Sequence, residues 1–477
     1  MIGALSDIPG PQHYGRDEAR PAASTGLFEG SLVICSVLLI PCVLHAVNLA
    51  PVLRVAYPAM NLALGALLFA RRSPWFAAHC VLLFCFVSLV RRLVDDQAGF
   101  DPASPVLITP YLCCLFLGLA FVEYWARPRP QYLGAFLVLL LAILYGALLA
   151  VLQGAVIAAA IDFLKWGAGP LFAVYLLARR DQHSQERQLI EQTLVWAGAF
   201  MGLYGVFQYL APPSWDLRWM QGVAELGMDS IGRPEPYALR VFSTMNSPGS
   251  LGAVLSAGIL VAFKRPLHIA VPLIICMLAG IALAQYRTIW AATLLGVLLL
   301  VLTRPGVFRP ANVLAAMAVL AGFAATTLVP QIRETLAQRA GTMTNLRADQ
   351  SGEVRLNQYR ALTRDEGLIV GEGLGQIGVA RRLSGMHRVI LDSALIEIWR
   401  GLGVIAGTAY LGAMACLVVS LFRRAPDVAQ HLHFDRAVVV AAWAQLPMGS
   451  VHTGENGIFA WLFLGLGLAA LSRSASA

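Results

Sequence analysis

Runs of apolar residues separated by short polar breaks recur along almost the whole chain. Fourteen can be marked, near 27–49, 51–70, 74–91, 106–125, 132–153, 154–178, 188–211, 248–263, 267–286, 287–303, 311–330, 391–422, 437–452 and 456–472. Most hold roughly 17 to 25 residues, the length an α-helix needs to cross a hydrocarbon core about 30 Å thick. The breaks at 50, 153 and 286–287 are so short that about 12 to 14 transmembrane helices are expected. Two long polar segments, 212–247 and 331–390, interrupt the pattern. The predicted fold is therefore all-α, a polytopic helical membrane protein. Residues 27–330 form a helical region that includes the 212–247 loop, 331–390 a large loop, and 391–477 a C-terminal helical region. Residues 1–26, with Pro9, Pro11 and Pro21, read as a disordered tail without the charge order and cleavage site of a signal peptide.

Composition agrees with that class, since 58% of the 477 residues are apolar and 13% charged, which does not describe a soluble globule. Basic pairs recur after every second run: Arg71 and Arg72, Arg127 and Arg129, Arg179 and Arg180, Lys264 and Arg265, Arg304 and Arg309, Arg423 and Arg424. By the positive-inside rule these turns and both termini face the cytoplasm. The two long loops, the Gln285–Arg287 junction and the Val451–Glu455 turn then face outward. Arg91 and Arg92 break the pattern, with Asp95 and Asp96 near enough to neutralise them. The net charge of +8 is spread over alternating loops, so no soluble basic face for nucleic acid results. All eight cysteines lie inside proposed spans without zinc-type spacing, and read as small apolar packing residues.

Candidate chemistry gathers on the outward side. The 331–390 loop holds nine arginines (Arg333, Arg339, Arg347, Arg355, Arg360, Arg364, Arg381, Arg382 and Arg388), which points to an anionic ligand. Before the eighth run, Arg240 leads into Ser243-Thr244-Met245-Asn246-Ser247-Pro248-Gly249, the composition of a capped helix start whose free N–H groups favour an anion. A cap alone would also account for it. Tyr286, Arg287 and Trp290 put one guanidinium at a membrane boundary, where it either snorkels or grips a phosphate through two N–H groups. In the long loop, Ser351–Arg360 predicts a helix and Val370–Gln376 a glycine-rich turn; no βαβ unit flanks it, so it is no dinucleotide fingerprint. His387 and Arg388 then precede Asp392, Ser393 and Glu397, where polar groups enter the next span and suit proton transfer. Asp162 and Lys165, at i and i+3, can neutralise each other on one helix side. His452 and Glu455 lie in an outward turn that could extend the site.

The order RVFSTMNSPGSLG, QYRTIW, then SGEVRLNQYRAL, GEGLGQIG and LDSALIEIWRGLG resembles the O-antigen ligase and O-antigen polymerase (Wzy-type) superfamily over about residues 188–422. That resemblance implies glycan transfer from undecaprenyl pyrophosphate on the periplasmic face of the bacterial inner membrane, without metal or other cofactor. It also implies that Arg240, Arg287 and Arg355 meet the pyrophosphate. Many ligases carry a histidine followed by Asn or Ser where this chain has Leu391 and Asp392, with His387 earlier, which favours the polymerase over the ligase.

Fixed guanidinium groups in a dry site stabilise the charge that develops on the leaving phosphate. The chain has no DxD, DxE, ExD or ExE spacing to hold a divalent ion beside a nucleotide sugar. The expected site comprises Asp392 and His387 as base candidates with Arg287 as the catalytic cation. Arg240, Asn246, Tyr286, Arg355, Arg360 and Arg388 are expected to bind substrate. The expected partners are a lipid-linked oligosaccharide and membrane lipids, with a chain-length regulator left open. The alternatives are transfer to a lipid A core acceptor and, in a different class, transport of an organic anion.

Overall fold

The computed structural model of the protein describes residues 23–127, 130–226, 231–303, 350–362, 366–376, 391, 393–423 and 429–474. These fold as helices, and the only ladder-type pairing among them is a single bridge between Gly232 and Leu239. The helices are α1 (Gly26–Ala46), α2 (Leu53–Ala70), α3 (Trp75–Ala98), α4 (Pro105–Trp125), α5 (Leu133–Leu152), α6 (Val156–Ala178) and α7 (His183–Leu210). After them come α8 (Ser214–Glu225), α9 (Pro248–Ala262), α10 (Leu267–Ala284) and α11 (Arg287–Thr303). The last four are α12 (Gln350–Leu362), α13 (Ala394–Leu421), α14 (Ala429–Trp443) and α15 (Gly454–Ser474). Ten described helical segments are long and apolar enough to cross a membrane, and α9 and α11 are shorter apolar helices. The chain is a polytopic helical membrane protein.

Thirteen of the fourteen apolar runs coincide with described helices; the run at 311–330 lies outside the described residues. One boundary needs correcting. The run at 437–452 belongs to α14, which starts earlier, at Ala429, and stops at Trp443. Its first two turns carry Asp435, a fully buried carboxylate that hydropathy alone would exclude from a span. Arg187 on α7 donates to both Asp435 oxygens at 2.9 Å, and this pairing makes the early start tolerable.

Close packing comes from small residues. α15 runs along α6, where Trp461 fills the space left by Gly169. α7 packs on α10, where Gly202 meets the backbone at Cys276. Small residues let membrane helices approach closely and so gain dispersion contact. α3 is buried along its full length and forms the centre of the bundle. One end of the bundle collects residues 231–247, the turn at Gln285–Tyr286, residues 350–362 and 366–376 and the turn at 444–453, and is termed the loop face.

Candidate functional site at the loop face

Ser247 adopts an extended backbone and caps α9, its side chain accepting from the Ser250 N–H at 3.0 Å, with Pro248 in the first turn. The expected cap is therefore present, and the first-turn N–H groups give this end a positive potential. The approach to it is held from behind by Arg92. That guanidinium is fully buried and pairs with Asp216 of α8 at 3.0 Å. It also donates to the Met245 carbonyl at 2.8 Å and to the Ser243 carbonyl. Gln208 completes the hold: its Oε1 accepts from the N–H groups of Phe242 and Ser243, and its Nε2 donates to Asp216 at 2.6 Å. Burial pushes the Asp216 carboxyl up, while Arg92 and the bonds from Gln208 and Tyr204 pull the other way. The sequence pairing of Arg91 and Arg92 with Asp95 and Asp96 is thus half correct. Arg91 meets Asp95 at 2.6 Å, but Arg92 takes Asp216, and Asp96 takes His45 and Arg218. A partner 124 positions along the chain leaves no local signature.

This strap delivers Arg240 and Asn246 to the turn between α10 and α11. Arg240 Nη2 donates to the Gln285 carbonyl at 3.1 Å, and its guanidinium lies 5.9 Å from the Tyr286 ring. Gln285 sits in the left-handed region (φ 52°), which makes the turn tight and starts α11 at Arg287. A Cβ on Gly249 would stand only 3.7 Å from the Tyr286 ring, so α9 and the turn are in contact range. Asn246 Oδ1 is shielded from solvent without a hydrogen-bond partner among the described residues. Arg240 and Tyr286 therefore meet beside the α9 N-terminus, with Asn246 just ahead of the Ser247 cap and Arg287 next to Tyr286 in the chain, all four part-buried.

The long loop touches the same face at two places. In α12, the Tyr359 hydroxyl lies 2.6 Å from Ser393 Oγ and donates to the Pro447 carbonyl at 3.2 Å. Ser393 in turn caps α13. Arg355 lies in α12, and Arg360 is exposed with Asn357 as a partner at 3.5 Å. His387, Arg388 and Asp392 lie outside the described residues. The glycine-rich turn proves to be packing. Its N–H groups bond the carbonyls of Arg400, Gly401 and Gly146 and, from Gly375, the Asp162 carboxylate at 2.9 Å. Its donors are used by the fold and are not presented to a ligand.

Behind the α9 cap lies a second polar group. Glu455 at the start of α15 accepts from Ser250 at 3.4 Å, and Ser450 donates to Glu397 of α13 at 2.5 Å. Lys165 reaches Asp162 at 3.7 Å and lies within electrostatic range of both Glu397 and Glu455. The sequence paired Asp162 with Lys165 but did not join that pair to Glu397 and Glu455. The available signal was Lys165 itself, one of two lysines among 35 basic residues. His452, in the adjoining turn, is fully buried 4.4 Å from the Trp166 ring, and burial holds its imidazole down at about 3. Among the described residues no group of three His, Cys, Asp or Glu side chains is placed to hold a metal ion. No protein-family model, curated protein or solved structure matches this chain.

Proposed function

We propose that the protein is a membrane glycosyltransferase of the O-antigen polymerase type. It would take a glycan from an undecaprenyl-pyrophosphate donor and pass it to a second lipid-linked repeat unit, with the loop face turned to the periplasm of a bacterial inner membrane. The observation that carries this reading is the meeting of Arg240 and Tyr286 beside the Ser247-capped start of α9, with Asn246 just ahead of the cap and Arg287 next to Tyr286 in the chain. Two guanidinium groups and the positive end of a helix suit an anion with several oxygens, and a planar guanidinium holds phosphate oxygens in pairs. The position of that anion site at the end of membrane-spanning helices suits a donor whose lipid tail stays in the bilayer.

In the proposed reaction an acceptor hydroxyl attacks the anomeric carbon. A new C–O bond forms, the bond from carbon to the phosphate oxygen breaks, and the hydroxyl proton leaves to a base. Negative charge grows on the departing pyrophosphate, where Arg240 and Arg287 stabilise it by several kcal/mol in a site of low polarity. The positive charge comes from the protein itself, so the reading requires no added metal. Direct displacement inverts the anomeric centre.

The test is incubation of purified protein in detergent and EDTA with a lipid-pyrophosphate oligosaccharide as sole glycan, then separation of products by size. A ladder of repeat units with inverted linkages is expected. Transfer only after addition of lipid A core would replace the polymerase by a ligase. No transfer to either acceptor would overturn the reading.

A further inference from the structure

Resting on that reading, we propose that Glu455 is the base that takes the acceptor proton, in an acceptor subsite between the α9 cap and Lys165. Four observations place it there. First, the carboxylate adjoins the anion site without belonging to it. Ser250 Oγ lies 3.4 Å from Glu455 Oε1 and 2.8 Å from Ser247 Oγ, so one hydroxyl separates the base from the α9 cap. Second, Glu455 is only part-buried, so a hydroxyl can reach it.

Third, a charge balance keeps the group at work. Asp162, Glu397 and Glu455 share the field of Lys165, the one ammonium of the cluster. Asp162 is further occupied by the Gly375 N–H, and Glu397 by Ser450. Glu455 has the longest and weakest hydrogen bond of the three, 3.4 Å to Ser250, and so the most accepting capacity to spare. Fourth, the cluster holds an unused polar group. The Tyr410 hydroxyl is fully buried, lacks a hydrogen-bond partner among the described residues and lies within electrostatic range of Glu397.

Atoms balance simply. The acceptor O–H proton passes to Glu455, its oxygen bonds to the anomeric carbon, and the pyrophosphate leaves with the electron pair of the broken bond. Lys165 then faces a carboxylic acid in place of a carboxylate until the proton returns to solvent.

Glu455→Gln tests this with two nucleophiles. Transfer to a sugar hydroxyl needs a base, whereas azide carries no proton to remove. The variant is expected to lose about 100-fold or more in transfer to the hydroxyl acceptor. It should still bind the lipid-pyrophosphate donor and still form glycosyl azide at close to the wild-type rate. Retained donor binding also certifies the fold. Wild-type activity with an equally active Glu455→Gln would overturn the base assignment alone. Parallel loss of hydroxyl and azide transfer would make Glu455 structural. A wild type that neither binds donor nor transfers would take down the functional reading, and the base with it.

Discussion

The two long loops reach the same end of the bundle by opposite chemical means. The first is held by charge: Arg92 and Asp216, both fully buried, grip the backbone of Ser243 and Met245 from inside the bundle. The second is held by missing side chains. Gly371, Gly373 and Gly375 all take positive φ, and a Cβ on Gly373 would come within 2.7 Å of the Ala150 nitrogen. The turn wedges against a break in α13, where Gly403 (φ 77°, ψ 169°) leaves the helical region. Arg400 adds a bond to Glu372 at 2.6 Å. A loop gripped by its backbone from behind can present side chains such as Arg240 and Asn246 on its other side. A loop whose own N–H groups are consumed by helix carbonyls has little left for a ligand. Among the described residues, the side chains left to meet a ligand are therefore those of the first loop and of the helix starts it adjoins.

The charged grip should be the more fragile. Arg92→Met strands the Asp216 carboxylate and two carbonyls, and breaking a buried ion pair in this way costs about 3 to 5 kcal/mol. Thermal unfolding in detergent should register that loss. Arg92→Met with Asp216→Leu should be less damaging than Arg92→Met alone, because no uncompensated charge remains. A single variant as stable as wild type would mean that the first loop is not held by charge.

Arg240 separates holding from binding within the same loop. Arg240→Ala is expected to lower glycan transfer about 100- to 1,000-fold, the usual effect of removing one donor to a developing oxyanion. Its unfolding temperature should stay near that of wild type, since the Arg92 grip is untouched. Arg240→Lys should recover only part of the rate, because an ammonium cannot match the paired guanidinium donors. Unchanged transfer in Arg240→Ala would remove this residue from the site.

What could be read in advance follows the range of each interaction. The described spans other than α14, the Ser247 cap and the Asp162–Lys165 pair are local, set within a few residues, and each is found where the sequence placed it. The grip of Arg92 on Asp216 and the approach of Glu455 to Ser250 join residues 124 and 205 positions apart, and only packing decides them. The start of α14 was missed because a buried Asp435 looks polar in sequence, although Arg187 neutralises it in the fold. The glycine turn was legible as a turn. Its role as a wedge was not, because the fit depends on helices that the turn itself does not encode.

The glycine hold should break by strain. Gly375→Ala puts a Cβ 2.5 Å from the Ala158 carbonyl carbon at a φ of 82°, for a cost of about 1 to 3 kcal/mol. Because this turn does not line the Arg240 site, the folded fraction should keep its affinity for the lipid-pyrophosphate donor. A loss of donor binding larger than the loss of folded protein would return the turn to the site.

The third element of the loop face, the turn at 444–453, is held mainly by neither device, and its effect is confined to acid pH. His452 is buried with both ring nitrogens lacking hydrogen-bond partners among the described residues, and its carbonyl accepts from the Trp461 indole at 3.0 Å. Burial keeps the folded imidazole neutral down to about pH 3, whereas the unfolded chain protonates it below its ordinary value of 6.5. Between those values the unfolded state binds the extra proton. Stability is therefore complete above pH 6.5 and falls as the pH drops toward 3, by at most about 1.4 kcal/mol per pH unit. His452→Leu, which cannot bind that proton, should flatten the acid slope of a pH series of unfolding temperatures. Arg92→Met and Gly375→Ala should lower the whole curve and keep the slope. An unchanged slope in His452→Leu would mean that this turn opens to water before the bundle unfolds.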